Sequence, residues 1–296
     1  MTPAVAPTRC LACGPGTPEP RRTLRLANGR WLLQCPCCRL AWWDWPPFDP
    51  ASLYDASYFQ SPAAAHGYDD YAALEVGLCR TARARLRRIA RCQAHRPVPP
   101  RLLEIGCGPG VFLDAAAAAG WEVHGIEVSA YAAELAGRRG HPVQCAAIET
   151  LRLPVNAYDA VAMWDVIEHL RDPAAVLHAS ARALRPGGVL ALSTGDVTSL
   201  CARLCGAHWH LFNLPEHLFF FSPAALRRLL AAAGMHVRLW TREVTWLPVT
   251  YLLERLRKSA ASTWWRPAAR SASRILGSRL LPATLLDVLG VYAVRE

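Results

Sequence analysis

The feature that most constrains this chain is the segment Leu102-Leu103-Glu104-Ile105-Gly106-Cys107-Gly108-Pro109-Gly110. An apolar run ends in three alternate glycines, and the helical stretch VFLDAAAAAG follows. Such a strand-turn-helix lets a ligand approach the backbone closely. A dinucleotide loop needs a glycine at the sixth position, where this chain has Val111, and Glu104 would repel a pyrophosphate. The same acid suits an ammonium group, held by a charge-assisted hydrogen bond. The next apolar segment, WEVHGIEV, carries Glu127 at its end, where a carboxylate can accept both hydroxyls of a ribose. Two acids at consecutive strand ends are far more specific than either alone.

Around this core the alternation continues. Apolar runs RLLEIG, WEVHGIEV, PVQCAA, YDAVAMW and GGVLALSTG are separated by the helical stretches YAAELAGRRG and PAAVLHASARAL. The pattern predicts a parallel sheet with covering helices. A helix over Asp69–His95 follows from Leu74, Leu78, Ala82, Leu86 and Ile89 recurring at three and four. Its other face is set with Arg80, Arg83, Arg87, Arg88 and Arg91, and RPVPP at 96–100 ends it. Near the end, Ser222 and Pro223 open another helix, a strand runs His236–Thr241, and LLDVLGVYAVRE is expected as a last edge strand.

The first 48 residues are too few to fold on a core of their own and need a staple. Cys10-x-x-Cys13 and Cys35-x-x-Cys38 are two knuckles whose separation suits one tetrahedral zinc held by four thiolates, with Cys37 competing with Cys38 for the last position. A closed four-sulfur shell implies a structural metal. The expected organisation is a zinc-ribbon module over 1–48, a connector and helix over 49–97 that includes LYDASYFQ, a ligand-binding domain over 98–245, and a helical extension with a terminal strand over 246–296.

Eleven cysteines without a secretion-type start argue for reduced thiols, and the cytoplasm is the expected compartment. No run of about 18 apolar residues occurs, so no transmembrane helix is expected. The segment from Trp246 to Pro282 mixes leucines and tryptophans with arginines, and peripheral contact at a membrane is a secondary expectation for it. The net charge of +10 raises the question of nucleic acid, yet Lys258 is the only lysine among 33 basic residues, a skew that genomic base composition also produces.

The quoted motifs LLEIGCGPG, GIEVS at 125–129, YDAVAMWDVIEHLRDP at 158–173 and LRPGGVLALSTG at 184–195 resemble the class I S-adenosylmethionine (SAM) dependent methyltransferases. The branch most resembled includes ubiquinone-biosynthesis O-methyltransferases and sugar methyltransferases, whose members often carry a cysteine ribbon before an LYDASYF-like connector. The resemblance implies a Rossmann-like, doubly wound, mostly parallel α/β sheet that binds SAM and releases S-adenosylhomocysteine. Glu104, Gly106, Cys107, Gly108 and Gly110 would hold the amino-acid portion, and Glu127 and Val128 the ribose. Ala147 and Ile148 would flank the adenine, and Trp164 would cover the ligand. Many relatives have an Asp near 147 to accept from the adenine amino group; Ala147 cannot, so a backbone group or Glu149 takes that part.

Methyl transfer needs a base only when the acceptor must lose a proton. His169, just after the fourth strand, is the first candidate, with His210 and His217 in the segment HWHLFNLPEHLFFFS next. That segment is expected to form part of a lid over a small-molecule acceptor. The competing expectations are an RNA methyltransferase that grips phosphate with its ribbon and the arginines of 80–91, and a SAM-binding protein without turnover.

Overall fold

The computed structural model describes residues 6–26, 28–45, 71–93, 99–249 and 279–296. The segment LYDASYFQ and most of the basic extension, 250–278, lie outside the described residues. In chain order the elements are β1 (Arg21–Arg25), β2 (Trp31–Gln34), β3 (Ala41–Trp43), α1 (Tyr71–Cys92), β4 (Arg101–Ile105), α2 (Val111–Ala118), β5 (Glu122–Glu127), α3 (Ala130–Arg138), β6 (Val143–Cys145) and β7 (Tyr158–Trp164). There follow α4 (Pro173–Ala183), β8 (Leu184–Gly195), α5 (Leu200–Cys205), β9 (Phe219–Phe220), α6 (Pro223–Ala232), β10 (Met235–Arg242), β11 (Thr245–Pro248), β12 (Leu280–Ala283) and β13 (Val288–Arg295).

Seven strands form the central sheet in the order β10-β13-β8-β7-β4-β5-β6, with β8, β7, β4, β5 and β6 parallel. Both faces of the central strands β4, β7 and β8 are covered, which is why they read as continuous apolar runs. On one face Leu86 and Ile89 of α1 and Phe112 and Leu113 of α2 pack against Leu102, Ala160 and Val189. On the other, Val176 and Leu177 of α4 and Leu226 and Leu230 of α6 pack against Leu103, Val161 and Leu190. Helix starts follow the sequence signals. Ser129, Asp172 and Ser222 accept from Ala132, Ala175 and Ala225 N–H groups, and Pro173 and Pro223 stand in the first turns.

The strand β13 corrects one expectation, because it is interior rather than an edge. It runs antiparallel between β8 and β10, pairing Val288 with Gly195 on one side and Leu289 with Arg242 on the other. Val291, Tyr292 and Ala293 are buried, as burial on both faces requires.

The cysteine module is joined to the main domain by hydrogen bonding. β1, β2 and β3 form an antiparallel sheet whose fourth strand is β9, contributed from 219–220. Trp43 Nε1 donates to the His217 carbonyl at 2.9 Å, and Ser222 Oγ donates to the Cys38 carbonyl at 2.5 Å. Ser222 therefore caps α6 and ties it to the cysteine knuckle at once. Ser222→Ala is expected to cost about 1–2 kcal/mol, read as a fall of several degrees in the melting midpoint; an unchanged midpoint would show that neither bond matters.

Among the described residues, no helix is long and apolar enough to cross a membrane.

Candidate functional site

The carboxyl edge of the parallel strands carries the candidate site. Gly106 and Cys107 N–H groups both donate to the Ile126 carbonyl, folding the loop across the end of β5. Gly106 has φ 71°, and a Cβ there would meet Val166 Cγ2 at 2.5 Å, so the position admits glycine alone. Cys107 is buried with its sulfur directed at Gly125, where an added Cβ would come within 2.7 Å of it. Only the Cys107 backbone faces the loop's open side, and burial pushes its thiol pKa up.

Glu127 Oε2 accepts from the Gly108 N–H and Oε1 from the Ser129 N–H, both at 2.8 Å. One carboxylate thus fixes the glycine loop and the start of α3, with lone pairs left for two more donors. Val128, half-buried, bridges these contacts. The Ala146 N–H donates to the Glu127 carbonyl at 2.9 Å, which sets Ala147 and the short helical turn Ile148–Thr150 beside Glu127. Ile148 is buried in the core, and Glu149 accepts from the Arg171 N–H at 3.2 Å.

Glu104, on β4, is buried, and its Oε2 has no hydrogen-bond partner among the described residues. Burial pushes its pKa well up, Arg85 pulls it down and Glu127 adds to the rise. A buried acceptor oxygen without a donor is costly unless a ligand supplies one.

Arg85 escaped the sequence reading, which noted its neighbours on α1. Its guanidinium lies 4.2 Å from the Trp164 ring centroid, donates to Glu243 at 2.9 Å and reaches Ser193 at 3.3 Å. Arg88 bonds the other Glu243 oxygen at 2.7 Å. Ser193 Oγ in turn donates to Asp165, whose φ of 57° marks a strained turn at the end of β7. Arg85 on the α1 face and Phe112, edge-on at 5.2 Å, hold the Trp164 ring. The only sequence signal for Arg85 was its place on the apolar side of α1, where a cation needs an acid partner.

The three candidate histidines separate into two places. His169 directs Nδ1 at the Glu216 carbonyl (3.0 Å) and His217 directs Nδ1 at the Leu211 carbonyl (2.8 Å). A carbonyl only accepts, so each ring carries a hydrogen on Nδ1. Their centroids are 4.7 Å apart, edge to face, and one donor atom each of Glu168, His169 and His217 lie within 4.8 Å of one another. Burial pushes the His169 pKa down to about 4, so the ring is neutral near pH 7. His210 stands apart, its Nδ1 3.6 Å from Asp287. Of the expected lid, Phe219, Phe220 and Phe221 are buried core, the first two committed by β9 to the small sheet and the third bridged to Asp196. A strand of only two residues is too short to show a period in the sequence.

Glu168 accepts from Thr194 Oγ1 at 3.0 Å, and burial, then the Asp165 charge, push its pKa up to about 8. An ordinary glutamate titrates near 4.3 in the unfolded chain, so the folded state holds a proton that the unfolded state gives up. Stability from this group is full below that value and is lost as pH rises through about 8, by at most roughly 1.4 kcal/mol per pH unit. Glu168→Gln is expected to lessen the fall of the urea midpoint between pH 5 and 8, and an unaltered slope would remove the assignment.

At the amino-terminal module, Cys10 and Cys38 sulfurs are 3.4 Å apart and Cys13 and Cys35 sulfurs 3.9 Å, all four within 4.8 Å of one another. Cys37 is exposed and outside the cluster. Four soft donors at this spacing fit a tetrahedral zinc.

Comparison with known proteins agrees with this layout. A family model described as a methyltransferase domain matches residues 78–239, more than half the chain. A ubiquinone biosynthesis O-methyltransferase of Idiomarina loihiensis is 32% identical over 149 residues, covering 46% of this chain and 61% of that one. One of the same name from Thiobacillus denitrificans is 31% identical over 169 residues, covering 52% and 72%. The chain thus matches 61% of the length of the first of these relatives. In fold, the chain is similar to magnesium protoporphyrin IX methyltransferase of Synechocystis PCC 6803, solved with bound SAH, at a TM-score of 0.50 and 17% identity, covering 76% of this chain and 86% of that one.

Proposed function

Because the chain belongs to the methyltransferase-domain family of class I SAM-dependent enzymes, we propose that it transfers a methyl group from SAM to a small-molecule acceptor. SAM supplies the electrophilic methyl on its sulfonium. The observation that carries this reading is the pair of acids at adjacent strand ends, one with a buried oxygen that finds no donor among the described residues and one already gripping the glycine loop. Glu104 would take the ammonium, directly or through water, and Glu127 and Val128 the ribose hydroxyls. Gly106, Cys107, Gly108 and Gly110 would shape the loop around the amino-acid portion. Ala147 and Ile148 would flank the base. With the Glu149 carboxylate already accepting from Arg171, a backbone group is the better acceptor of the adenine amino hydrogen. Trp164 would wall the site from the α1 side.

For the acceptor, the named relatives favour a hydroxyl on a quinone-like ring, with sugars and other secondary metabolites in the same chemical range. A phenol or alcohol loses its proton as it attacks, and His169 Nε2, with His217 alongside, would receive it. The low pKa of His169 keeps the ring neutral at neutral pH, the state a proton acceptor needs. On the face of α1 that the RNA reading would use, Arg88 is engaged by Glu243 while Arg80, Arg83, Arg87 and Arg91 are exposed, and steep salt dependence of RNA binding would favour that reading. Cys10, Cys13, Cys35 and Cys38 would hold a structural zinc outside the reaction.

Labelled SAM offered with a panel of catechols, other phenols and sugars is the direct test, with transfer to at least one class expected. Absence of binding of both SAM and S-adenosylhomocysteine by calorimetry would end the proposal. His169→Ala is expected to lower kcat about 100-fold at unchanged SAM affinity. Full activity in that variant would move the base to His217 or His210.

A further inference from the structure

We propose that Cys201, His210 and Asp287 form a second metal site, for a thiophilic divalent cation of the zinc class, on the main domain and apart from the four-cysteine cluster. The three donors come from separate segments. Cys201 lies in the first turn of α5, His210 in the loop that follows, and Asp287 immediately before β13. One ligand atom from each lies within 4.8 Å of the other two.

The details favour a bound cation over a simple ion pair. The His210 Nδ1 to Asp287 Oδ2 distance of 3.6 Å is beyond hydrogen-bond range. It is close to the separation of roughly 3.3 Å between two N/O ligands on one tetrahedral zinc. The Asp287 side chain is only 2% exposed, and its Oδ2 accepts the Trp209 indole N–H at 2.8 Å. An outer donor of that kind orients a ligating carboxylate. The Asp287 carbonyl accepts from the Asp196 N–H at 2.7 Å, so the backbone at this position is fixed as well. A neutral Cys201 thiol can donate to this buried carboxylate, whereas a bound cation would take both groups as ligands and convert the thiol to thiolate. Sulfur and imidazole donors select zinc-like ions over magnesium. Three protein donors leave one position for water or a ligand oxygen. Trp209 and Leu211 flank His210 and lie against Gly195 at the end of β8, so an ion here would join three segments at the sheet's carboxyl edge. The site does not depend on the methyl-transfer reading.

The test is zinc content per chain, by elemental analysis of the full-length protein purified under reducing conditions, with cobalt substitution as a second readout. Wild type is expected to hold about two equivalents, falling to one in Cys201→Ser, in the surface variant His210→Ala and, independently, in Cys13→Ser. The second cobalt equivalent should add thiolate-to-metal absorption that Cys201→Ser lacks. One equivalent in wild type, kept in Cys201→Ser and His210→Ala and lost in Cys13→Ser, would overturn the proposal. One equivalent lost in Cys201→Ser and kept in Cys13→Ser would uphold it while removing the ribbon metal.

Discussion

Glu127→Ala is expected to weaken SAM binding by about two orders of magnitude. The carboxylate accepts the Gly108 and Ser129 N–H groups, and both donors lose their partner when it is removed. Each charge-assisted bond contributes about 1.5–3 kcal/mol, and about 1.4 kcal/mol is tenfold in affinity. Loss of the ribose contacts alone would reach the stated effect, and loosening of the loop adds to it. Glu127→Gln should fall between, because an amide oxygen can keep one N–H bond but its NH₂ cannot accept the other. Calorimetry with SAM and S-adenosylhomocysteine reads both variants, with circular dichroism as the control for folding. Unimpaired binding in Glu127→Ala would remove the ribose assignment while leaving family membership intact.

The second large effect is expected at the cysteine module. Cys13→Ser should release its metal and unfold the segment around β1 to β3, because structural zinc contributes on the order of 10 kcal/mol to modules of this size. The arginines of β1, Arg21, Arg22 and Arg25, then become substrates for trypsin. Rapid cleavage there, with the domain from α1 onward persisting longer, is the expected pattern. A protected β1 in a zinc-free variant would mean that packing of Trp42 and Trp43 suffices without the ion.

The parallel core was legible because its central strands β4 and β7 are buried on both faces, so that RLLEI and YDAVAMW stand out as apolar runs between helical periods. The helix caps were legible for a similar reason, since a Ser or Asp before a helix acts within three residues. What escaped depends on pairing between distant segments. The place of β13 between β8 and β10 is set by hydrogen bonds spanning tens of residues, and nothing in VLGVYAV specifies its neighbours. Arg85 looked like one arginine among many on α1, and its contacts with Trp164 and Ser193 distinguish it. The glycine loop and its two acids were legible as a site because they are local to two strand ends. Which side each histidine faces was not, because Glu216 and Leu211 present their carbonyls through the course of a loop.

The fourth strand of the small sheet has a bearing on how the polypeptide can be divided. Since β9 belongs by sequence to the methyltransferase-domain half and by pairing to the amino-terminal half, cutting the gene between them severs a shared fabric. A fragment beginning at α1 would bare Phe219 and Phe220 along an unpaired strand margin, and self-association through that margin is its natural fate. Inheritance of the two halves as one unit follows from this seam.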